Sequence, residues 1–399
     1  MKRFFILLSI ILLITPCLNA QKNEIVQARS YLKSGKDIDK AEALMRGLLT
    51  KPSNKTNIKI YQTLFETVRV QYEQYNENLY LKQKSDTAAL FNKCLDMFTV
   101  LESLDSIDAA PDKKGNIKIK YRERNAQYLN AYRLNLFYGG AYFMRHQQYQ
   151  LAFDFYKKYI DCKDQPLFSS YNYLKSDKRM SECAYWATFC GYKLKNPESI
   201  LLYQDLAVKD SLHNDFVMQY ISEAHLMQKD TVKYVNTLNT GFKLHPQFPF
   251  FFPRLIDYYM SKNSLDSALT IVNNALAVNK SSVVYLYAKS SILLSMGKYK
   301  ESILISDSLI AKDDSLADSY FNAGTAYISM AVALDNAQGT STHKSEILND
   351  YKKARKYMER YRELAPDEKD KWAPALYRIY FNLNLGKQFD EIDKIVKSL

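Results

Sequence analysis

Five histidines, His146, His213, His225, His245 and His343, carry the ring nitrogens that could serve this 399-residue chain as a general base or a metal ligand. Nucleophilic catalysis needs a Ser, Cys or carboxyl group beside such a base, with a third group to orient it. The histidines show no paired spacing, and none stands in an HExxH string. His225 and His245 fall where helix packing or a turn accounts for them. Gly139-Gly140 is the only adjacent glycine pair, and it sits inside a helical pattern rather than in a strand-to-helix loop, so it makes no phosphate cradle. Asp313-Asp314, and Glu198 with Asp205, are carboxylates of the kind that exposed helix ends ordinarily carry. The residues therefore predict no enzyme, no zinc or EF-hand site and no cofactor.

Cysteine chemistry is equally spare. Cys94, Cys162, Cys183 and Cys190 lack CxxC spacing, and Cys183 and Cys190 lie seven apart on one helix face, as core residues do. If the chain is exported a disulfide is permitted, and Cys162 with Cys183 is the first pair to test. Export itself is read from the start of the chain. Lys2 and Arg3 precede an apolar run from Phe4 to Ile14, then Pro16 and a small residue at Ala20. That run is too short for a membrane span of roughly 20 residues and matches a secretory signal cleaved after Ala20. Cys17 follows Pro16, where a lipid-anchored leader wants Ala, Gly or Ser. Removal of 1–20 lowers the net charge from +12 to +10. The expectation is a periplasmic or secreted protein that does not span a membrane. The positive excess is thin. Lys118, Lys120, Arg122 and Arg124 are its one concentration, read as a solvated helix face, and nucleic acid is not expected as a partner.

The elements that hold these residues are helices. Gly and Pro are scarce, so are period-two runs bounded by turn signals, and helical segments alternate with breaks such as Lys195-Asn196-Pro197, Gln228-Lys229-Asp230 and Met296-Gly297-Lys298. Superimposed, the second helices open at Ser199, Tyr234, Ala268 and Ser302, at steps of 35, 34 and 34. Leu136, Gly139, Gly140 and Phe143 are followed by Ala152 and Tyr156. Tyr320, Ala323, Gly324 and Tyr327 are followed, after an interruption, by Ala354, Met358 and Pro366. This pattern resembles the tetratricopeptide repeat family, whose unit is a 34-residue helix-turn-helix. The resemblance implies an all-α, right-handed α-solenoid of about nine hairpins. Along the chain this gives a signal peptide at 1–20, a first hairpin at 21–52 and degenerate long helices at 53–130. A regular array at 131–314 and an extended repeat with a capping hairpin at 315–399 complete it. Residues 328–349 either lengthen both helices of their hairpin or loop out, turning at Gly339-Thr340-Ser341-Thr342.

The family's architecture further implies where partners sit, on the first helix of each hairpin. Carried over, its inward positions are Tyr138 and Arg145, then Tyr185 and Tyr192, then Phe216, Tyr220 and Glu223. Phe250, Arg254 and Asp257 follow, then Tyr287, and finally Asp318, Phe321 and Asn322. An aromatic lining with scattered polar groups suits a protein or peptide segment. The alternative for any one ring is packing between hairpins. The clamp that grips a partner's C-terminal carboxylate is missing, since Phe137, Ala141, Ser181 and Tyr185 occupy positions of the kind where it needs Lys and Asn. Phe248-Pro249-Phe250-Phe251-Phe252-Pro253 is read either as junction core or as an exposed docking patch. A non-enzymatic interaction scaffold in the bacterial cell envelope is the leading expectation. A helical glycan or small-ligand binder of the outer-membrane nutrient-uptake type is the alternative.

Overall fold

The computed structural model describes residues 21–336 and 340–399; the expected leader at 1–20, and Gly339 of the expected turn, lie outside them. Every regular element among the described residues is helical. Residue contacts divide the chain into two compact units, the described part of Met1–Tyr234 and Val235–Leu399. The first holds α1 (21–34), α2 (Ile38–Leu49), α3 (Ile58–Tyr80), α4 (Thr87–Asp108), α5 (Arg122–Arg145) and α6 (Tyr149–Asp161). It continues through α7 (Tyr173–Ser176), α8 (Met180–Lys193), α9 (Pro197–Leu201), α10 (Gln204–Ala207) and α11 (Asn214–Met227). The division falls inside α12 (Thr231–Leu244). The second unit holds α13 (Phe251–Ser261), α14 (Leu265–Val278), α15 (Val283–Ser295), α16 (Tyr299–Lys312), α17 (Ala317–Asp335), α18 (Thr340–Leu364), α19 (Lys369–Asn382) and α20 (Gly386–Val396). In chain order these pair into eight hairpins that each lie within one unit, among the described residues, with α9 and α10 acting as one broken second helix.

Seven hairpin turns close in the same way. After α5, Gln147 takes a left-handed φ of 59°, its N–H donates to the Met144 carbonyl, and the Gln148 N–H reaches back to the Phe143 carbonyl. The same two bonds recur around Lys82, Lys195, Lys229, Asn263, Gly297 and Asn384, each at positive φ. They satisfy carbonyls that a helix C-terminus otherwise leaves open. Second helices then start on side-chain caps where the sequence supplies one: Asp86 accepts from the Ala89 N–H and Asn196 from the Ser199 N–H, both at 2.9 Å.

Within each unit, second helices pack on the first helix of the next hairpin: α2 on α3, α4 on α5 and α6 on α8 in one, α14 on α15, α16 on α17 and α18 on α19 in the other. Such neighbour-to-neighbour burial is how a repeat array builds its core. Small residues set the approach. A Cβ on Gly140 would stand 2.6 Å from the Tyr156 ring, and one on Gly139 2.6 Å from Phe155. The rings occupy the notches the glycines leave.

Several expectations are corrected. The residue equivalent to Tyr234, Ala268 and Ser302 is Ile200, fully buried as the fourth residue of α9, so the step from Ser199 becomes 34 like the others. Phe250, Phe251 and Phe252 are buried, and Phe251 fills the notch at Gly241; the aromatic string is core, not a docking patch. Cys94, Cys162, Cys183 and Cys190 are free and buried, with no bridge between Cys162 and Cys183. Residues 116–120 are extended and only from Arg122 does helix begin, so the basic run is not one helix face. Residues 328–335 and 340–349 lengthen the two helices of their hairpin, with α17 at 19 and α18 at 25 residues.

Arg133, 6% exposed, ties α5 to the segment around α7. Its guanidinium carbon lies 3.8 Å from the ring centroids of both Tyr159 and Tyr173. It donates to Asp177 Oδ2 at 2.6 Å and to the Tyr159 carbonyl at 3.1 Å. Asp177 also accepts the Tyr159 hydroxyl at 2.7 Å. Burial pushes the Asp177 carboxyl up, but Tyr159, Arg133 and the Arg179 N–H together hold it below its ordinary range.

Candidate protein-interaction surface

Helices α8 and α11 are the first helices of consecutive hairpins, and they pack directly against each other. Each turn brings an aromatic residue to the facing stripe, because residues three and four apart share a helix face. On α8 these are Tyr185, Trp186, Phe189 and Tyr192. On α11 they are Phe216 and Tyr220, with His213 just before the helix.

The rings form one continuous ledge. Tyr185 stacks on His213 at 4.1 Å and 5°, and Trp186 tilts against both. Phe189 meets Trp186 at 5.9 Å and Tyr220 at 6.0 Å, both edge-on. Tyr192 stacks on Tyr220 at 4.4 Å, and Phe216 leans on the same ring at 6.3 Å. Two layers emerge. Tyr185 and Tyr220 are 6% and 5% exposed and form the floor. Trp186, Phe189, Tyr192 and His213 are half-buried, and Phe216 is exposed, so their faces line the surface above it. Burial pushes both floor phenols up, and at Tyr220 the neighbouring Tyr185 and Tyr192 hydroxyls add to it, so the floor stays neutral.

Of the positions expected to line a groove, the structure brings Tyr185, Tyr192 and Tyr220 together with Phe216. The first and third are corrected from lining to support. Tyr138 and Arg145 are exposed on α5, where Tyr138 contacts Phe137 rather than the ledge. In the second unit Phe250 is 6% exposed and lies under the Arg254 guanidinium at 3.6 Å, so this pair is spent on packing. Tyr287 is half-buried. Asn322 is 3% exposed and is likewise corrected: its amide donates to Ser291 Oγ at 2.9 Å and Ser290 Oγ at 3.3 Å, inside a buried cluster with Ser302 and Ser306. Trp186 and Phe189 were not foreseen. Their spacing from Tyr185, at one and four residues, was the available signal.

His213 Nδ1 stands 3.3 Å from Asp210 Oδ1, and its ring is stacked on Tyr185. Among the described residues no group of three His, Cys, Asp or Glu could hold a metal, and no helix is long and apolar enough to cross a membrane.

These features define a class of architecture: an all-α array of helical hairpins, of the kind the tetratricopeptide resemblance implies. No protein-family model matches the chain, and no curated protein matches it. Among solved structures it is similar to the C-terminal part of a TPR repeat-containing protein from Cytophaga hutchinsonii, at 11% identity and a TM-score of 0.44, covering 66% of this chain and 95% of that one. It is also similar to yeast Tom70, at 12% identity and TM-score 0.34, covering 95% and 91%. The TPR domain of P58(IPK) gives 12% identity and TM-score 0.25, covering 95% and 99%. The hairpin architecture stands on this chain's own helices and turns.

Proposed function

We propose that this chain is a non-enzymatic protein-interaction scaffold of the bacterial cell envelope that holds an extended peptide or helical segment on the α8–α11 ledge. One observation carries the reading: half-buried Trp186, Phe189 and Tyr192 and exposed Phe216 stand side by side over a buried Tyr185–Tyr220 floor. Rings already fixed by their neighbours lose little freedom on binding, and Trp and Tyr are the residues that most often carry interface energy. Export is the reading that Lys2, Arg3 and the Phe4–Ile14 run support.

A display library of random peptides panned on the purified chain supplies the binder. Trp186→Ala and Phe216→Ala each weaken the selected peptide by at least about tenfold, with helicity by circular dichroism unchanged. Unaltered affinity in both variants overturns the ledge reading. Titration with oligosaccharides is the parallel arm, and saturable sugar binding lost in Trp186→Ala would transfer the surface to the glycan-binding class. Recovery of the protein in the cytoplasmic fraction with residues 1–20 intact would remove export.

A further inference from the structure

Residues 116–120 run extended between α4 and α5 and are fixed there from both ends. Upstream, Asp112 Oδ1 accepts the N–H groups of Lys114 at 2.8 Å and Asn116 at 2.9 Å, and the Asp112 N–H donates to the Asn116 carbonyl around Gly115 at φ 83°. Downstream, Asp108 Oδ2 accepts the Lys120 and Tyr121 N–H groups at 2.6 and 2.8 Å. Asp105, 3% exposed, takes the Arg122 guanidinium through two bonds of 2.8 Å. Between these anchors the N–H and carbonyl groups of Ile117, Lys118 and Ile119 meet no partner among the described residues. All three residues are exposed.

An extended backbone with open donors and acceptors is the edge of a sheet that the chain does not itself supply. Its side chains alternate. Ile117 and Ile119, 59% and 42% exposed, share one face, while Lys118 and Lys120 share the other. Ile119 borders a half-open pocket of about 540 Å³ with a mixed lining, Leu167 and Tyr171 standing beside Arg122, Glu123, Gln127, Ser169 and Ser170, so an apolar side chain has room on the Leu167 and Tyr171 side. Lys113, Lys114, Lys118, Lys120 and Arg124 form no ion pair among the described residues, and these five cations outnumber the neighbouring Asp108, Asp112 and Glu123 carboxylates, so the edge carries a net positive charge.

We propose that residues 116–120 accept an extended acidic peptide as an added β-strand. Carboxylates of the guest stand opposite Lys118 and Lys120, and an apolar side chain enters the cavity beside Ile119. The chemistry selects this occupant over a second copy of the chain: antiparallel self-pairing that matches the isoleucines sets Lys118 against its own counterpart, and like charges directly opposite destabilise. The site shares no residue with the aromatic ledge, so either can fail without the other.

The probe is a capped, labelled peptide of alternating Val and Glu, titrated into the full-length chain by fluorescence anisotropy. Saturable binding that weakens with added salt is expected. Methylating the peptide's backbone nitrogens along one edge weakens it by at least about tenfold, because that removes ladder donors without touching the protein. The Lys118→Glu/Lys120→Glu chain, altered only at exposed positions, loses the Val-Glu peptide and gains its Val-Lys counterpart. Absence of binding, or binding indifferent to N-methylation, overturns the proposal. So does self-association of the chain that Ile119→Asp abolishes, or binding to phosphatidylserine vesicles in place of the peptide.

Discussion

A Cβ placed on Gly191 would stand 2.7 Å from the backbone nitrogen of Ile200 and 2.8 Å from the carbonyl carbon of Ser199. At Gly139, Gly140 and Gly241 the neighbour is an aromatic ring that can shift; here it is main chain, so α8 and α9 touch backbone to backbone. Gly191→Ala should cost about 1–3 kcal/mol, the usual range for overpacking. Gly47→Ala, on α2 with nothing within 4 Å of the added methyl, should instead gain about 0.5–1 kcal/mol by lowering the entropy of the unfolded chain. Urea midpoints of the two variants check the contrast, and equal shifts would refute it.

The left-handed turn residues offer the converse experiment. Lys195 at φ 53° and Lys229 at φ 59° each carry a side chain in a conformation where L-residues bear a steric cost and glycine does not. Lys195→Gly and Lys229→Gly should each raise stability by about 0.5–1 kcal/mol, seen as a higher thermal midpoint. Lys33→Gly, within α1, should lower it by a similar amount.

Breaking the Arg133 latch should be among the most damaging changes in the first unit. Arg133→Leu keeps apolar bulk between Tyr159 and Tyr173 but strands the Asp177 carboxylate, and a loss of about 3 kcal/mol is expected. The Asp177 carboxyl is depressed in the fold, so its contribution is complete above the ordinary carboxylate pKa and disappears as pH falls through the folded value. Wild-type stability should therefore drop on acidification below about pH 4, with a shallower slope in Asp177→Asn.

Alkali should loosen the same region from the other direction. Burial pushes the Cys162 and Cys190 thiols up to about 12. An acid raised in the folded state lends stability that is whole below its ordinary pKa of 9.0 and vanishes as pH climbs towards 12. Unfolding midpoints measured from pH 8 to 11 should decline, less steeply in Cys190→Ala. At neutral pH both thiols should resist iodoacetamide until the chain unfolds.

What could be read from residues alone, and what could not, follows from which signals are local. The helix-turn-helix period was visible because turn residues and small packing positions recur along the chain: Ala152, Ala268 and Ser302 are fully buried where the period places them. The register slipped by one at Ser199 because Asn196-Pro197 starts α9 and it is Ile200, not the small residue, that faces inward. Lys195, Lys229 and Gly297 fall in breaks that the sequence marks, but the left-handed geometry shared by seven turns does not show there, since Lys, Gln and Asn outnumber Gly at that position and carry no strong sequence mark. The candidate surface was half legible. Position along a first helix predicts which way a side chain points but not what stands in front of it. Tyr185 and Tyr220 were placed correctly on facing helices and then found roofed by Trp186, Phe189 and Phe216. Asn322 was absorbed by serines from α15 and α16 that lie 16 or more residues away in sequence. The 116–120 segment escaped because its shape is set by Asp105 and Asp108, carboxylates on a different element.

The self-contained turns have a mechanical corollary. Each closes on its own residues, the described cysteines form no cross-link, and within a unit every helical pair leans on its neighbours in the chain. Tension applied at the ends then meets no distant staple and strips pairs away serially, releasing roughly 110–120 Å of slack for each 34-residue element. Such a chain yields under load in increments, as a ratcheted tether would, and re-forms from whatever portion is still standing.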